Sequence, residues 1–137
     1  MTDSLPKLCD SASTRASVLV VEDEALVAFY LEDTLDALGY QCCGVANSAE
    51  EAVSLAAAQR PALALVDVGL RGSRDGIALA SDLADLGVAV VFLTGSSDSE
   101  TRRRAEAMQP HGFLSKPCNE RDIALVLESA QLSLPRQ

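Results

Sequence analysis

Four apolar residues, Val18, Leu19, Val20 and Val21, run straight into three acids, Glu22, Asp23 and Glu24. A further acid, Asp67, closes the apolar stretch ALVDV; Thr94 and Lys116 stand in the same way at the ends of VFLTG and FLSKP. Singly, each is an ordinary hydrated side chain at the end of an apolar run. Brought together they would do chemistry. Crowded carboxylates repel one another unless they are protonated or bridged by a cation, and several hard oxygen ligands suit Mg²⁺ or a similar ion. Such a cation beside a carboxylate, an ammonium and a hydroxyl can position and neutralise a phosphoryl group, and one carboxylate can serve as the nucleophile.

That chemistry needs elements to position it. Short apolar runs recur at Val18 to Val21, Tyr40 to Ala46, Ala62 to Val66, Val88 to Leu93 and Gly112 to Leu114. They are continuous or β-branched and do not alternate, the pattern of parallel strands covered on both faces. Between them lies helical spacing. Val27, Leu31, Leu35 and Leu38 recur at three and four residues, with Gly39 where a left-handed cap is wanted. Asn47 and Ser48 precede Glu50 and Glu51 in a capping-box arrangement, and Pro61 closes that helix. Leu79, Leu83 and Leu86 mark a third helix, ended by Gly87. Asp98 to Met108 forms a more polar fourth, and Asn119 caps a fifth with Ile123, Val126, Leu127 and Ala130 facing inward. Strand and helix in strict alternation imply right-handed crossovers and a parallel sheet between two helix layers. In such sheets ligands sit at the carboxyl ends of the strands, which is where Glu22, Asp23, Asp67, Thr94 and Lys116 fall.

The 137 residues suffice for one self-supporting core. Residues 1–16 are rich in Ser, Thr and Asp and read as a flexible tail, 17–132 as the folded domain and 133–137 as a short end segment, leaving no length for a second domain. The hydrophobic fraction is 48% with only 4% aromatic residues, so the core should be aliphatic. A formal net charge of −9 opposes contact with phosphate backbones and disfavours nucleic-acid binding. Cys9, Cys42, Cys43 and Cys118 have neither zinc-ligand spacing nor the density of a secreted scaffold and read as free thiols in a reducing cytoplasm. No apolar run is long enough to span a bilayer.

VLVVEDE, ALVDV, FLTG and FLSKP, in this order and each at the end of an expected strand, resemble the receiver domain of bacterial two-component response regulators over residues 17–132. FLTG is similar to the Phe-Ala-Thr-Gly stretch of a stand-alone subgroup, with Leu93 in place of alanine. The resemblance implies a flavodoxin-like (βα)5 three-layer α/β sandwich with sheet order 2-1-3-4-5. It implies that Asp67 accepts a phosphoryl group from a histidine kinase or histidine phosphotransfer protein. It further implies that Asp23, Asp67 and the Gly69 carbonyl bind Mg²⁺, with Glu22 acting through water, and that Lys116 pairs with the phosphoryl oxygens. Thr94 and Phe113 fall at the family's switch positions, and Pro117 at its cis-proline. Such a protein is no turnover enzyme. It signals through protein contacts, as a monomer or as a dimer formed on phosphorylation, with a downstream target that the residues leave open.

The loop after Asp67 reads DVGLRGSRDG, without the family's common Met-Pro pair and with Gly76 one residue further on. Gly69 and Ser96, small residues expected to flank the phosphoryl group, would leave attacking water unobstructed, so an ordinary phosphoryl lifetime is expected. A Mg²⁺-dependent phosphohydrolase would want a second aspartate at position 69, where glycine stands. A fold-only binding module that undergoes no chemistry is the other rival, and the complete acidic, hydroxyl and lysine set weighs against it. Phe113 is as consistent with core packing as with switching. His111, after Pro110, reads as a solvated loop residue. Cys42 and Cys43, adjacent on a strand, should face opposite ways. Arg102, Arg103 and Arg104 read first as a solvated helix face, with a recognition patch as the alternative.

Overall fold

The computed structural model describes residues 15–70, 75–95 and 99–134. Five strands alternate with five helices: β1 (Ser17–Val21), α1 (Ala25–Ala37), β2 (Gln41–Ala46), α2 (Ala49–Gln59), β3 (Leu63–Asp67), α3 (Gly76–Asp85), β4 (Ala89–Thr94), α4 (Ser99–Ala107), β5 (Gly112–Ser115) and α5 (Glu120–Leu132). The strands form one parallel sheet in the order β2-β1-β3-β4-β5. This is the parallel sheet expected from the alternation of runs, in the flavodoxin-like order that the resemblance implies.

The continuous apolar runs become the central strands because both faces are covered. All of β3 and β4 is buried. On one face Leu31 and Leu35 of α1 and Ile123, Leu127 and Ala130 of α5 pack on Val18, Val20, Leu65 and Val91. On the other, alanines of α2 and Ile77, Leu79 and Leu83 of α3 cover Leu19, Val21, Val66 and Phe92. The small residues of α2 let that helix lie close to the sheet. A bulge in the β1–β2 pairing passes over Cys43, and the two thiols part as expected, Cys42 toward the α1/α5 layer and Cys43 toward the other.

Helix ends follow local chemistry. Gly39 takes φ +90° after α1 and Gly87 φ +82° after α3, conformations that side chains disfavour. The Ser48 hydroxyl accepts from the Glu51 N–H, while the Glu51 carboxylate reaches the Asn47 N–H. Asn119 and Asp122 close a complete capping box on α5. α2 ends just before Pro61, as expected. Pro61 disfavours α conformation in the residue before it, and Arg60 turns left-handed at φ +52° to end the helix.

Arg15 and Ala16, assigned by composition to the tail, are anchored. Arg15 stacks over Tyr40 and pairs with Glu128 at 3.5 Å, and the Ala16 N–H donates to Gln131 Oε1 at 3.0 Å. Residues 71–74 and 96–98 fall outside the described chain, so the readings of the loop after Leu70, of Ser96 and of Asp98 as a helix start lie there too. Among the described residues no helix is long and apolar enough to cross a membrane.

Candidate functional site at the carboxyl edge of the sheet

Each polar residue singled out by spacing emerges at the same edge. Asp67 is the last residue of β3 and Thr94 the last of β4, both buried; Glu22 follows β1 and Lys116 follows β5. The backbone fixes their heights. The Glu22 N–H donates to the Ala46 carbonyl at 2.9 Å, Val68 N–H to Leu93 at 2.9 Å and Lys116 N–H to Thr94 at 2.8 Å, so the strands stay in register one residue beyond their ends.

Lys116 binds the acids together. Its Nζ lies 2.9 Å from Glu22 Oε1 and 3.3 Å from Asp67 Oδ2. The other carboxylate oxygens take backbone donors: Glu24 N–H reaches Glu22 Oε2 at 3.1 Å and Gly69 N–H reaches Asp67 Oδ1 at 3.0 Å. Glu22 is only 1% exposed, yet its Oε1 has the ammonium at ion-pair distance without hydrogen-bond alignment, leaving a buried acceptor unsatisfied. Burial pushes the Glu22 carboxyl above its ordinary pKa. The Lys116 pair and the Glu24 amide pull it back and the Asp67 charge adds to the rise; the net shift is upward. Burial alone would lower the Lys116 ammonium, but its pairing with Glu22 and Asp67 outweighs this and raises it.

This is a donor set for a cation. One oxygen from each of Glu22, Asp23 and Asp67 lies within 4.8 Å of the others, and Glu22 and Asp67 share the Lys116 ammonium. The unsatisfied Glu22 oxygen is the kind of buried acceptor that a hard divalent ion, or water bound to it, would complete. The acidic cluster could therefore hold a metal ion.

The remaining candidates surround it. Phe113 is half-buried on β5, paired in register with Phe92, their ring centroids 6.0 Å apart. The Lys116–Pro117 peptide bond is cis. His111 is exposed, as read from its turn. Two contacts join residues that the sequence had not linked. Gly76 opens α3 against the backbone of Asp67: a Cβ there would collide with the Asp67 carbonyl oxygen and carbon. Arg102 lays its guanidinium carbon 4.2 Å from the centre of the Phe113 ring. The Asp-Gly pair at 75–76 is where the first contact could have been suspected; the second depends on how α4 is rotated.

The family model described as the response regulator receiver domain matches residues 18–128. The chain is 36% identical over 120 residues to the transcriptional regulatory protein PdtaR of Mycobacterium tuberculosis, covering 87% of this chain and 58% of that protein. It is 31% identical over 122 residues to the phyllosphere-induced regulator PhyR of Methylorubrum extorquens, covering 88% and 45%. It thus spans about half the length of these relatives. Among solved structures, the signal receiver domain of a modulated diguanylate cyclase from Desulfovibrio desulfuricans G20 aligns over 86% of this chain and 98% of its own, at 39% identity and a TM-score of 0.77. Fold, matched residues and the clustered acids at the sheet edge agree: the chain belongs to the response regulator receiver domains.

Proposed function

We propose that the protein is a phosphoacceptor signalling module whose Asp67 takes a phosphoryl group from a phosphohistidine of a kinase or phosphotransfer protein, in a Mg²⁺-dependent reaction, and whose output is protein contact. One observation carries the reading: three carboxylates converge within 4.8 Å where β1 and β3 end, two of them paired with the Lys116 ammonium.

In this reading an Asp67 oxygen attacks phosphorus as the P–N bond to the donor imidazole breaks, its electron pair staying on the ring nitrogen. Gly69 N–H and Lys116, which already hold the two Asp67 oxygens, keep the carboxylate oriented for attack. Lys116 then shifts its pairing to the phosphoryl oxygens, and the Thr94 hydroxyl turns onto the same group while Phe113 follows as the switch. Asp23, Asp67 and the Gly69 carbonyl would hold the ion, with Glu22 acting through water. When bound, Mg²⁺ supplies the positive charge that lets the carboxylates and an incoming phosphoryl group share one edge. Position 69 carries no carboxyl that could act as a general acid on external substrates, in keeping with a signalling role in place of turnover.

Incubation with Mg²⁺ and acetyl phosphate, read by intact mass, tests this. The wild type is expected to gain one phosphoryl group and Asp67→Ala none. No gain, together with no response to beryllofluoride, would replace the reading by a fold that binds partners unmodified.

A further inference from the structure

The arginine run at 102–104 is the motif that the site does not absorb. α4 buries a single side chain, Ala105, so apolar packing gives it a weak hold on the sheet. Two of its arginines supply another hold. Arg104 reaches Asp75 at 3.4 Å, the residue whose carboxylate caps α3. Arg102 stacks on Phe113 at 4.2 Å and is itself steadied one turn on by Glu106, with Nε 3.0 Å from Oε2. The Phe113 ring is therefore held on its core side by Phe92 and on its helix side by Arg102.

Phe92 and Thr94 lie two residues apart on β4 and so on one face of the sheet, as do their register partners Phe113 and Ser115 on β5. A change in the Thr94 side chain thus alters the space beside the ring that Arg102 covers. We propose that Arg102 is a positioning residue that latches the Phe113 ring, and with it α4, in the arrangement belonging to the unmodified site. The inference rests on the phosphoacceptor reading above and adds the group that opposes the switch.

Linkage makes the latch measurable. A contact made in the unmodified state alone weakens binding of a phosphoryl mimic by the same factor as the mimic weakens the contact. A cation–π contact of this exposed kind corresponds to a factor of about two to five. Simple charge loss near an anion site predicts the opposite sign, because removing a cation should weaken anion binding.

The experiment is an amide NMR titration of the full chain with beryllofluoride in Mg²⁺, on wild type, Arg102→Ala, Glu106→Gln, Phe113→Leu, the Arg102→Ala/Phe113→Leu double variant and Asp67→Ala. Arg102→Ala is expected to bind about two- to fivefold tighter, Glu106→Gln to shift the same way, and the double variant to match Phe113→Leu, because the latch acts through the ring. Unchanged or weaker binding in Arg102→Ala, or an equal gain with Phe113 already replaced, overturns the latch and leaves Asp67 as acceptor. A wild type that binds no beryllofluoride overturns the phosphoacceptor reading and the latch with it. Should Arg102→Ala not fold, Arg102→Gln, which also takes the cation off the ring, decides by the same criterion.

Discussion

At the scale of single residues, Lys116 is the counterion on which the acidic edge depends. With it removed, Glu22 and Asp67 face each other uncompensated, and removing one partner of a buried pair is costly. Lys116→Met is expected to lower stability at pH 7 by about 2 kcal/mol, below the full cost of a deeply buried pair because the lysine side chain is partly exposed. The pH dependence follows from Glu22, whose carboxyl already lies above its ordinary pKa in the folded protein. A carboxyl raised in this way penalises the folded state when ionised. The penalty is full above its folded pKa and disappears below its unfolded one. Without the ammonium the rise is larger, so the deficit of the variant should shrink as pH falls from 7 toward 4. The Lys116 contribution runs the other way: its raised pKa stabilises the wild type through neutral pH, and this is lost as pH rises through the folded value. Urea unfolding at several pH values measures both, and a deficit constant from pH 7 to 4 would count against this account.

At the scale of elements, α3 is placed by a glycine. Alanine is the better helix former by about 1 kcal/mol, so propensity alone predicts that Gly76→Ala stabilises. The contact with the Asp67 backbone predicts the reverse, because a Cβ has no room there. We expect a loss of about 2 to 3 kcal/mol and slower phosphoryl uptake as the Asp67 backbone moves, read by urea unfolding and intact mass; a stabilised variant would refute the steric argument. This contact also shows where the sequence was legible. Strands with both faces buried print themselves as continuous apolar runs, so β3 and β4 could be read outright. Residues at their ends could be assigned to one edge because a parallel sheet turns sequence position into height. Contacts between elements left no such print: Gly76 against Asp67, Arg102 on Phe113 and Arg15 on Tyr40 depend on how neighbouring elements pack. The left-handed Arg60 was hidden for another reason, since Pro61 announces a helix end without saying how the preceding residue leaves it.

At the scale of the whole molecule, the site is assembled from β1 and β3, adjacent strands in the middle of the sheet, and exists only when the sheet does. A cation that binds there stabilises the entire fold by mass action, by about 1.4 kcal/mol at ten times its dissociation constant. Thermal melts at constant ionic strength should show the midpoint rising with Mg²⁺ and returning with chelator, and Asp23→Asn should remove most of the rise. A wild-type midpoint indifferent to Mg²⁺ would argue against the acidic cluster as a metal site. The opposite end of the molecule has its own logic. Ala16 donates to Gln131, and Arg15 spans Tyr40 and Glu128, so the segment entering β1 and the segment leaving α5 lie side by side. Cyclisation between them needs only a short linker, whose closure entropy is small. The chain could then be reopened at an exposed turn elsewhere, a circular permutant in which the order of the elements changes while the acidic edge does not.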